Sequence, residues 1–321
     1  MRIFKDGGDR SRDPLAADDR IVRAGSNLAA VKTVIALGSA RGGVGKSTLA
    51  LNLAIALAQG GRKVGLLDGD LNSPSILGML GMRPARRMPV ADWIEPAAGP
   101  LGLRIAGSDL LNDREAPPIS FLALDESAGL SDSARLPNDN GRHPVDIGYT
   151  EALARMLTRV RFGALDLLMV DLAPGLEALS RLAQIVPRVN LIAVCHPSGA
   201  SARDLTATLN FAAESGVAVC GVIENMAGFS CDGCHSVRPL MPQGSIAAAA
   251  RSLGVALLER LPFDPRLAET CDRGTIFVRE YPDAPLTRQI ATIAQALVRW
   301  TDSASTAPPA DPTRGLAAGQ S

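Results

Sequence analysis

Ser39-Ala40-Arg41-Gly42-Gly43-Val44-Gly45-Lys46-Ser47-Thr48 is the stretch that decides the fold. It follows an apolar run, Val34-Ile35-Ala36-Leu37, and precedes an Ala/Leu-rich segment from Leu49 to Ala58. That context is strand, glycine turn, helix. Glycines at 42, 43 and 45 let backbone N–H groups approach and cradle a polyphosphate. The N-terminal end of the following helix presents its positive pole to the same anion. Lys46 has the reach for β and γ oxygens, and the Ser47 hydroxyl suits Mg²⁺. Gly42, Gly43, Val44, Gly45, Lys46, Ser47 and Thr48 are therefore the candidate nucleotide-binding residues. A Gly-x4-Gly-Lys-Ser loop would place glycine at position 40, where this chain has Ala40. The loop is instead the deviant Walker A form, with a basic residue, Arg41, early in it. A glycine turn without ligand is the bland alternative, and the strand–helix context argues against it.

The rest of the composition bounds the answer. A chain of 321 residues fits one large α/β domain with tails. Formal net charge is zero, which gives no bulk attraction to nucleic acid or anionic lipid. No apolar run reaches the ~18 residues of a membrane span, and residues 1–23 lack a signal-peptide core. A cytoplasmic protein acting without nucleic acid or membrane is the expectation. Lys5, Lys32, Lys46 and Lys63 are the only lysines, so arginine supplies 29 of the 33 basic residues.

Residues 1–30 are polar and are expected to be disordered. From residue 31 to 300, short apolar runs alternate with amphipathic segments. The runs predict strands over 33–39, 63–68, 102–106, 166–171, 189–195, 217–224 and 255–260. Helices are expected over 47–59, 150–161, 177–186, 201–215, 244–253 and 286–300. This alternation argues a mostly parallel central sheet with helices on both faces, and the loop at 39–48 adds the mark of the P-loop NTPase class. Residues 107–149, with Pro117-Pro118, Asn138, Asn140, Gly141 and Pro144, break the rhythm and read as an irregular insertion. Residues 301–321 are Ala/Pro/Gly/Ser-rich and read as a disordered tail.

Two strands end in carboxylates: Leu66-Leu67-Asp68-Gly69-Asp70 and Met169-Val170-Asp171. Ligands of open α/β sheets lie beyond the carboxyl ends of strands, so these acids face the phosphate loop. Phosphoryl transfer needs a held Mg²⁺ and a group that orients the attacking water. Asp171 suits the metal and Asp70 the water, with Lys46 as the cationic group beside them. Helix capping is the competing explanation, and for Asp68 the two readings stand level.

Cys231-Asp232-Gly233-Cys234-His235 lies in a polar turn. Haem attachment, a thioredoxin-like redox pair, an idle exposed pair and a metal site all fit a Cys-x-x-Cys. The haem reading needs export, and the redox reading needs a helix start beside an early strand. A metal or cluster usually wants four ligands, whereas one chain offers two adjacent thiolates. A metal role for Cys231 and Cys234 thus calls for two chains about a two-fold axis. Cys195, Cys220 and Cys271 fall in or near apolar segments and read as packing residues.

Together these motifs resemble the Mrp/ApbC family of ATP-binding iron–sulfur cluster carriers, within the deviant-Walker ATPases that include MinD/ParA. The resemblance covers about residues 31–300. Leu67 to Ile76 is similar to the family's switch I, and Asp171-Leu172-Ala173-Pro174-Gly175 to its Asp-x-Pro-Pro-Gly. Gly221-Val222-Ile223-Glu224-Asn225-Met226, followed by the cysteine pair, is the most discriminating part. Leu261-Pro262-Phe263-Asp264-Pro265 resembles the adenine-side segment. The likeness implies that Asn225 binds the adenine edge and that Cys231 and Cys234 bridge a cluster, [4Fe–4S] ahead of [2Fe–2S], between the subunits of a homodimer. It implies slow ATP hydrolysis coupled to cluster transfer, with apo iron–sulfur proteins as clients.

This sequence also departs from the family. Arg41 stands where family members usually carry a lysine that reaches across the dimer to the partner's phosphates, and by that likeness Arg41 is the candidate for the same catalytic role. Ala173 replaces a switch II proline, Leu176-Glu177 replaces Thr-Gly, and His235 stands in place of a glycine. The competing function is a MinD/ParA-like positioning switch with incidental cysteines. The final helix region, 286–300, has little of the basic amphipathic character of a membrane-targeting helix, which favours the carrier.

Overall fold

The computed structural model describes residues 14–71, 73–82, 93–110, 144–231, 234 and 236–304. The loop after the first apolar run sits where the alternation of strands and helices places it. Strand β1 (Val31–Gly38) leads into helix α2 (Lys46–Gln59), preceded in the chain by α1 (Pro14–Asn27). The next elements are β2 (Val64–Gly69), α3 (Ile76–Met79), β3 (Ala97–Ala98), β4 (Arg104–Ala106) and α4 (Pro144–Arg159). Then come β5 (Leu165–Leu172), α5 (Leu176–Ile185), β6 (Val189–Cys195), α6 (Gly199–Glu214) and β7 (Ala218–Glu224). A hairpin of β8 (Gly228–Ser230) and β9 (Val237–Pro239) precedes α7 (Ser245–Ser252) and β10 (Leu257–Arg260). Helices α8 (Pro265–Arg273), α9 (Phe277–Glu280) and α10 (Pro285–Ala304) close the fold.

Among the described residues the main sheet has eight strands in the order β10-β7-β6-β1-β5-β2-β4-β3. All neighbouring pairs are parallel except β3 with β4. Parallel strands need both faces covered, and the continuous apolar runs of β1, β5 and β6 supply both. One face packs α2 and α10, with Leu53, Ile55, Leu286 and Ile293 inaccessible to solvent. Across the sheet, α1, α4 and α5 bury Ala24, Leu153, Phe162 and Leu182. Toward the far edge, α6 and α7 pack Leu205, Leu209 and Ile246 on β6 and β7.

Several elements and boundaries differ from the sequence reading, among them the short helices α3 and α9 and the β8–β9 hairpin, which were not expected. Residues 14–27, inside the stretch expected to be disordered, form a helix. Its docking explains why: Ala24 is fully buried, and Asn27 Nδ2 donates to the carbonyls of Leu157 (2.8 Å) and Val160 (2.7 Å). The Leu157 carbonyl lies in the last turn of α4 and the Val160 carbonyl just beyond it, where it also accepts the Phe162 N–H at 3.1 Å, so tertiary contact overrides weak local preference. Helix α4 begins at Pro144, six residues inside the expected insertion, because proline is suited to a first helical turn. The last helix runs to Ala304, beyond the expected 300. Helix α8 was not expected, although its signals are in the sequence. Asp264 accepts the Arg266 N–H at 3.1 Å as N-cap, Pro265 opens the helix, and Gly274 closes it at φ 71°. The expectations for 1–13, 111–143 and 305–321, like those for Asn72, Asp232, Gly233 and His235, lie outside the described residues.

Asn27→Ala is expected to lower stability by about 1–3 kcal/mol, since the Leu157 carbonyl loses its side-chain donor and the Val160 carbonyl keeps only the Phe162 N–H. Urea unfolding read by far-UV circular dichroism checks this; an unchanged midpoint would contradict the docking role of α1.

Candidate functional site

Parallel strands place the ends of β1, β2 and β5 on one edge, and the candidate phosphate residues gather there. β2 and β5 pair Asp68 with Asp171, and β1 pairs Leu37 with Asp171. The loop leaving β1 exposes Arg41, Gly42 and Gly43 while burying Val44 and Lys46. Gly43 and Gly45 hold φ of 75° and 81°, in the left-handed region that suits glycine. At Gly45 there is a second constraint: a Cβ would stand 2.6 Å from Asn225 Nδ2. Gly45 then caps α2, whose first residues Lys46, Ser47 and Thr48 present free N–H groups to the loop.

Lys46 is 7% exposed, and burial holds its pKa below the usual lysine range while Asp171 and then Asp70 work against that effect. Asp171 is fully buried, and neither carboxylate oxygen has a partner in hydrogen-bonding geometry. Burial pushes its pKa up to about 7, although the Ser47 hydroxyl beside it and Lys46 act to lower it. A buried carboxylate with both oxygens unmatched is costly unless something charged completes it. An acid oxygen and a serine hydroxyl at a phosphate loop form a hard oxygen donor set, which fits Mg²⁺. Asp70 is half-buried at the end of β2.

Asp68, for which capping and catalysis stood level, is fully engaged with backbone. It accepts from Ser75 N (2.7 Å), Ile76 N (3.0 Å) and Asp70 N (3.2 Å), so it folds the turn that carries Asp70. Burial nevertheless raises its pKa to about 6, against those three bonds.

Arg41 points within its own chain. Its Nε forms a short ion pair with Asp204 on α6, and its side chain remains mostly exposed. Asn225 is buried after β7; its backbone N–H donates to Cys195 O, and its Nδ2 donates to the loop carbonyl of Val44 at 2.8 Å. It also borders a largely apolar cleft of about 570 Å³ that runs from Gly45 and Thr48 to Met226, Pro262, Phe263 and Leu267. The Leu261–Asp264 segment expected on the adenine side thus forms a wall of this cleft. Asp204 and Tyr149, whose hydroxyl meets the end of β2, were not singled out in the sequence. Neither carries a local signal, because both act across long sequence separations.

The cysteine pair lies at the other end of that wall. Ser230 N and Phe263 N exchange bonds with Phe263 O (3.0 Å) and Gly228 O (2.6 Å), fastening the β8–β9 hairpin to the cleft. Cys231 follows β8 and is half-buried, its N–H donating to Ser236 O at 3.0 Å, while Cys234 is exposed. The Ser236 hydroxyl lies 3.0 Å from Cys234 Sγ and, with the Ser236 backbone and the Cys231 thiol, holds Cys234 below the usual thiol range. Cys195 and Cys220 are buried, which raises both to about 12, and Cys271 is raised by burial as well. Among the described residues no three His, Cys, Asp or Glu side chains gather as a metal site. No described helix is long and apolar enough to cross a membrane.

Comparison with known proteins places these features in context. A family model described as ParA, NUBPL iron-transfer P-loop NTPase, matches residues 30–124 and 147–298. The iron-sulfur cluster carrier protein of Saccharolobus solfataricus is 32% identical over 276 residues, covering 85% of each chain. The cytosolic Fe-S cluster assembly factor NUBP2 of Homo sapiens is 33% identical, covering 86% of this chain and 95% of its own. Among solved structures, a nucleotide-binding protein from Archaeoglobus fulgidus in complex with ADP is 27% identical with a TM-score of 0.62, covering 80% of this chain and 92% of that one. The MinD protein of Pyrococcus horikoshii with Mg-ADP shares the fold, with a TM-score of 0.56 at 22% identity, over 86% of this chain and 99% of that one.

The raised pKa of Asp171 has a definite sign. An acid whose folded pKa lies above its unfolded value stabilises the fold below the unfolded pKa and loses that contribution as pH rises through the folded one. In the ligand-free protein the loss falls between about pH 4 and 7. Asp171→Asn should therefore be more stable than the parent at pH 8, by on the order of 2–4 kcal/mol, with the gap narrowing toward pH 4. Denaturant titrations in EDTA across this range check it; a gap independent of pH would contradict it.

Proposed function

The chain belongs to the NUBPL iron-transfer P-loop NTPase family, and on that premise we propose that it is an ATP-dependent carrier of iron–sulfur clusters. The observation that carries this reading is the cysteine hairpin, hung by backbone bonds on the wall of the nucleotide cleft. The curated relatives named as carriers and assembly factors favour it over a MinD-like positioning switch, since the MinD likeness extends to the fold alone.

In this reading ATP lies with its base in the Asn225–Phe263 cleft and its phosphates over residues 42–48. The backbone N–H groups of the loop and the Lys46 ammonium take the charge of the β and γ phosphates. Ser47 and Asp171 hold Mg²⁺, which when bound neutralises charge that builds on the phosphate oxygens. Asp70 orients a water whose oxygen attacks the γ phosphorus as the bond to the ADP oxygen breaks, giving ADP and inorganic phosphate. Arg41 is the basic residue for a partner's phosphates, and reaching them requires leaving Asp204. Gly42 and Gly43 keep the loop open enough for that approach.

The cargo is the cluster, proposed as [4Fe–4S]. Cys231 and Cys234 from two chains supply four thiolates, the number such a cluster takes. The exposed position of Cys234 suits a cluster that is given away without unfolding a core. A homodimer meeting at this hairpin would also cover Val237, Leu240 and Met241, which are 48%, 53% and 45% exposed. Apo iron–sulfur proteins are the proposed acceptors.

Anaerobic reconstitution with iron and sulfide tests the proposal. Near one four-iron cluster per two chains is expected, with visible absorbance that is lost in Cys231→Ala/Cys234→Ala and that moves to an apo-ferredoxin acceptor. Iron that binds equally without the two cysteines would contradict it. Lys46→Ala should lower ATP turnover at least 100-fold, measured as phosphate release, with the fold retained by circular dichroism; turnover at the parent rate would exclude the loop as the catalytic site.

A further inference from the structure

Tyr149 lies on α4, in a stretch whose sequence gave no reason to connect it with the phosphate site. Its hydroxyl donates to the Gly69 carbonyl at 3.0 Å, across 80 residues of chain. Gly69 is the last residue of β2, and its register partner on β5 is Leu172. The residues that follow, Asp70 and Ala173, therefore leave the sheet side by side. The Ala173 backbone is near enough to the same phenol to act on its pKa, while the hydroxyl's hydrogen bond goes to Gly69. The two strand ends are already close: a Cβ at Gly69 would stand 2.6 Å from the Asp171 carbonyl oxygen. One hydroxyl thus bonds the segment that carries Asp70 at the point where it lies beside the segment that follows Asp171.

The surroundings keep that hydroxyl a hydrogen-bond donor. Burial, then the negative charge of Asp70, with further contributions from Asp171 and Asp68, pushes the phenol well above its ordinary pKa. A neutral O–H can face this acidic group without adding charge to it, and phenylalanine would leave the Gly69 carbonyl short of a donor.

We infer that Tyr149 is a positioning residue for the phosphate-side chemistry, its hydroxyl fixing the end of β2 against the end of β5 and so setting Asp70 relative to Asp171. The inference rests on the reading of those two acids as the water-orienting and metal-holding groups. It makes α4, the helix that follows residues 111–143, part of the nucleotide machinery. Positioning to within about half an ångström is what such a constellation needs, and a displacement of 1 Å can cost on the order of 100-fold in rate.

Tyr149→Phe keeps the ring and removes the hydroxyl. Backbone hydrogen exchange in peptides spanning 69–76 and 172–176 should rise about fivefold or more, while exchange in 189–195 on β6 stays at the parent rate. ATP turnover should fall in kcat by about 3- to 10-fold with KM for ATP within twofold, and half-maximal turnover should need more Mg²⁺. Exchange at the parent rate in both switch segments would overturn the inference, whatever the kinetics. A rise that extends equally to 189–195 would also overturn it, because it marks general loosening. If the parent protein turns over no ATP, the catalytic reading of the loop fails, and the exchange comparison still decides whether Tyr149 holds the two strand ends.

Discussion

A lysine and a carboxylate, both withdrawn from water at the ends of the central strands, set the terms for this end of the molecule. Lys46 is nearly buried and Asp171 wholly so, yet neither oxygen of Asp171 is satisfied within the protein. Isolated charges of this kind are expensive, and their mutual attraction offsets only part of the cost. The sheet topology makes the arrangement unavoidable. β1 and β5 are adjacent and parallel, so the helix start after one and the acid ending the other must face each other. In the proposed reading a metal–nucleotide complex completes these charges on binding. The glycines of the loop, the three backbone bonds that Asp68 accepts, and the Tyr149 hydroxyl all hold the surrounding chain to that geometry.

The second constraint links this pocket to the cysteines. Asn225 donates to the Val44 carbonyl, so the segment leaving β7 is tied to the phosphate loop itself. A few residues later the chain forms the hairpin, and Gly228 and Ser230 bond to Phe263, which also lines the cleft. The cleft and the cysteine hairpin therefore share a wall. In the proposed reading this is how nucleotide state reaches the cargo: a shift of the loop or of the 261–264 segment is felt where Cys231 and Cys234 stand. Arg41 adds a further element, because in a single chain its charge is already taken by Asp204. Its passage to a partner's phosphates would exchange one ion pair for another, the kind of bistable contact from which two-state dimers are built.

Much of this was legible in the sequence, and the reasons are specific. The loop from Ser39 to Thr48 is local, so glycine spacing and the flanking strand and helix identify it without tertiary knowledge. The runs of β1, β5 and β6 are long and apolar, and their alternation with helices gave the parallel sheet. Strand-end acids were readable because strand ends and sheet edges coincide in this architecture. What escaped depends on contacts between distant segments. Helix α1 is polar in sequence and forms against α4 and α5. Tyr149 and Asp204 carry no motif, and their roles arise only once β2 or the loop is brought to them. Helix α8 is different: its Asp-Pro start and glycine stop were in plain sight, but its short length and polar character hid it behind the adenine-side motif. Asp68 was left undecided because capping and catalysis place an acid at the same strand end; three backbone donors show it in the first role.

The account turns on coupling between the phosphate loop and the cysteine hairpin, and cluster release measures that coupling directly. Anaerobic protein carrying a reconstituted cluster would be mixed with excess apo-ferredoxin, and transfer followed by visible circular dichroism, with and without Mg-ATP. The account predicts that Mg-ATP changes the transfer rate at least severalfold in the parent protein and leaves it unchanged in Lys46→Ala. Equal rates with and without Mg-ATP in a parent protein that binds both nucleotide and cluster would contradict it.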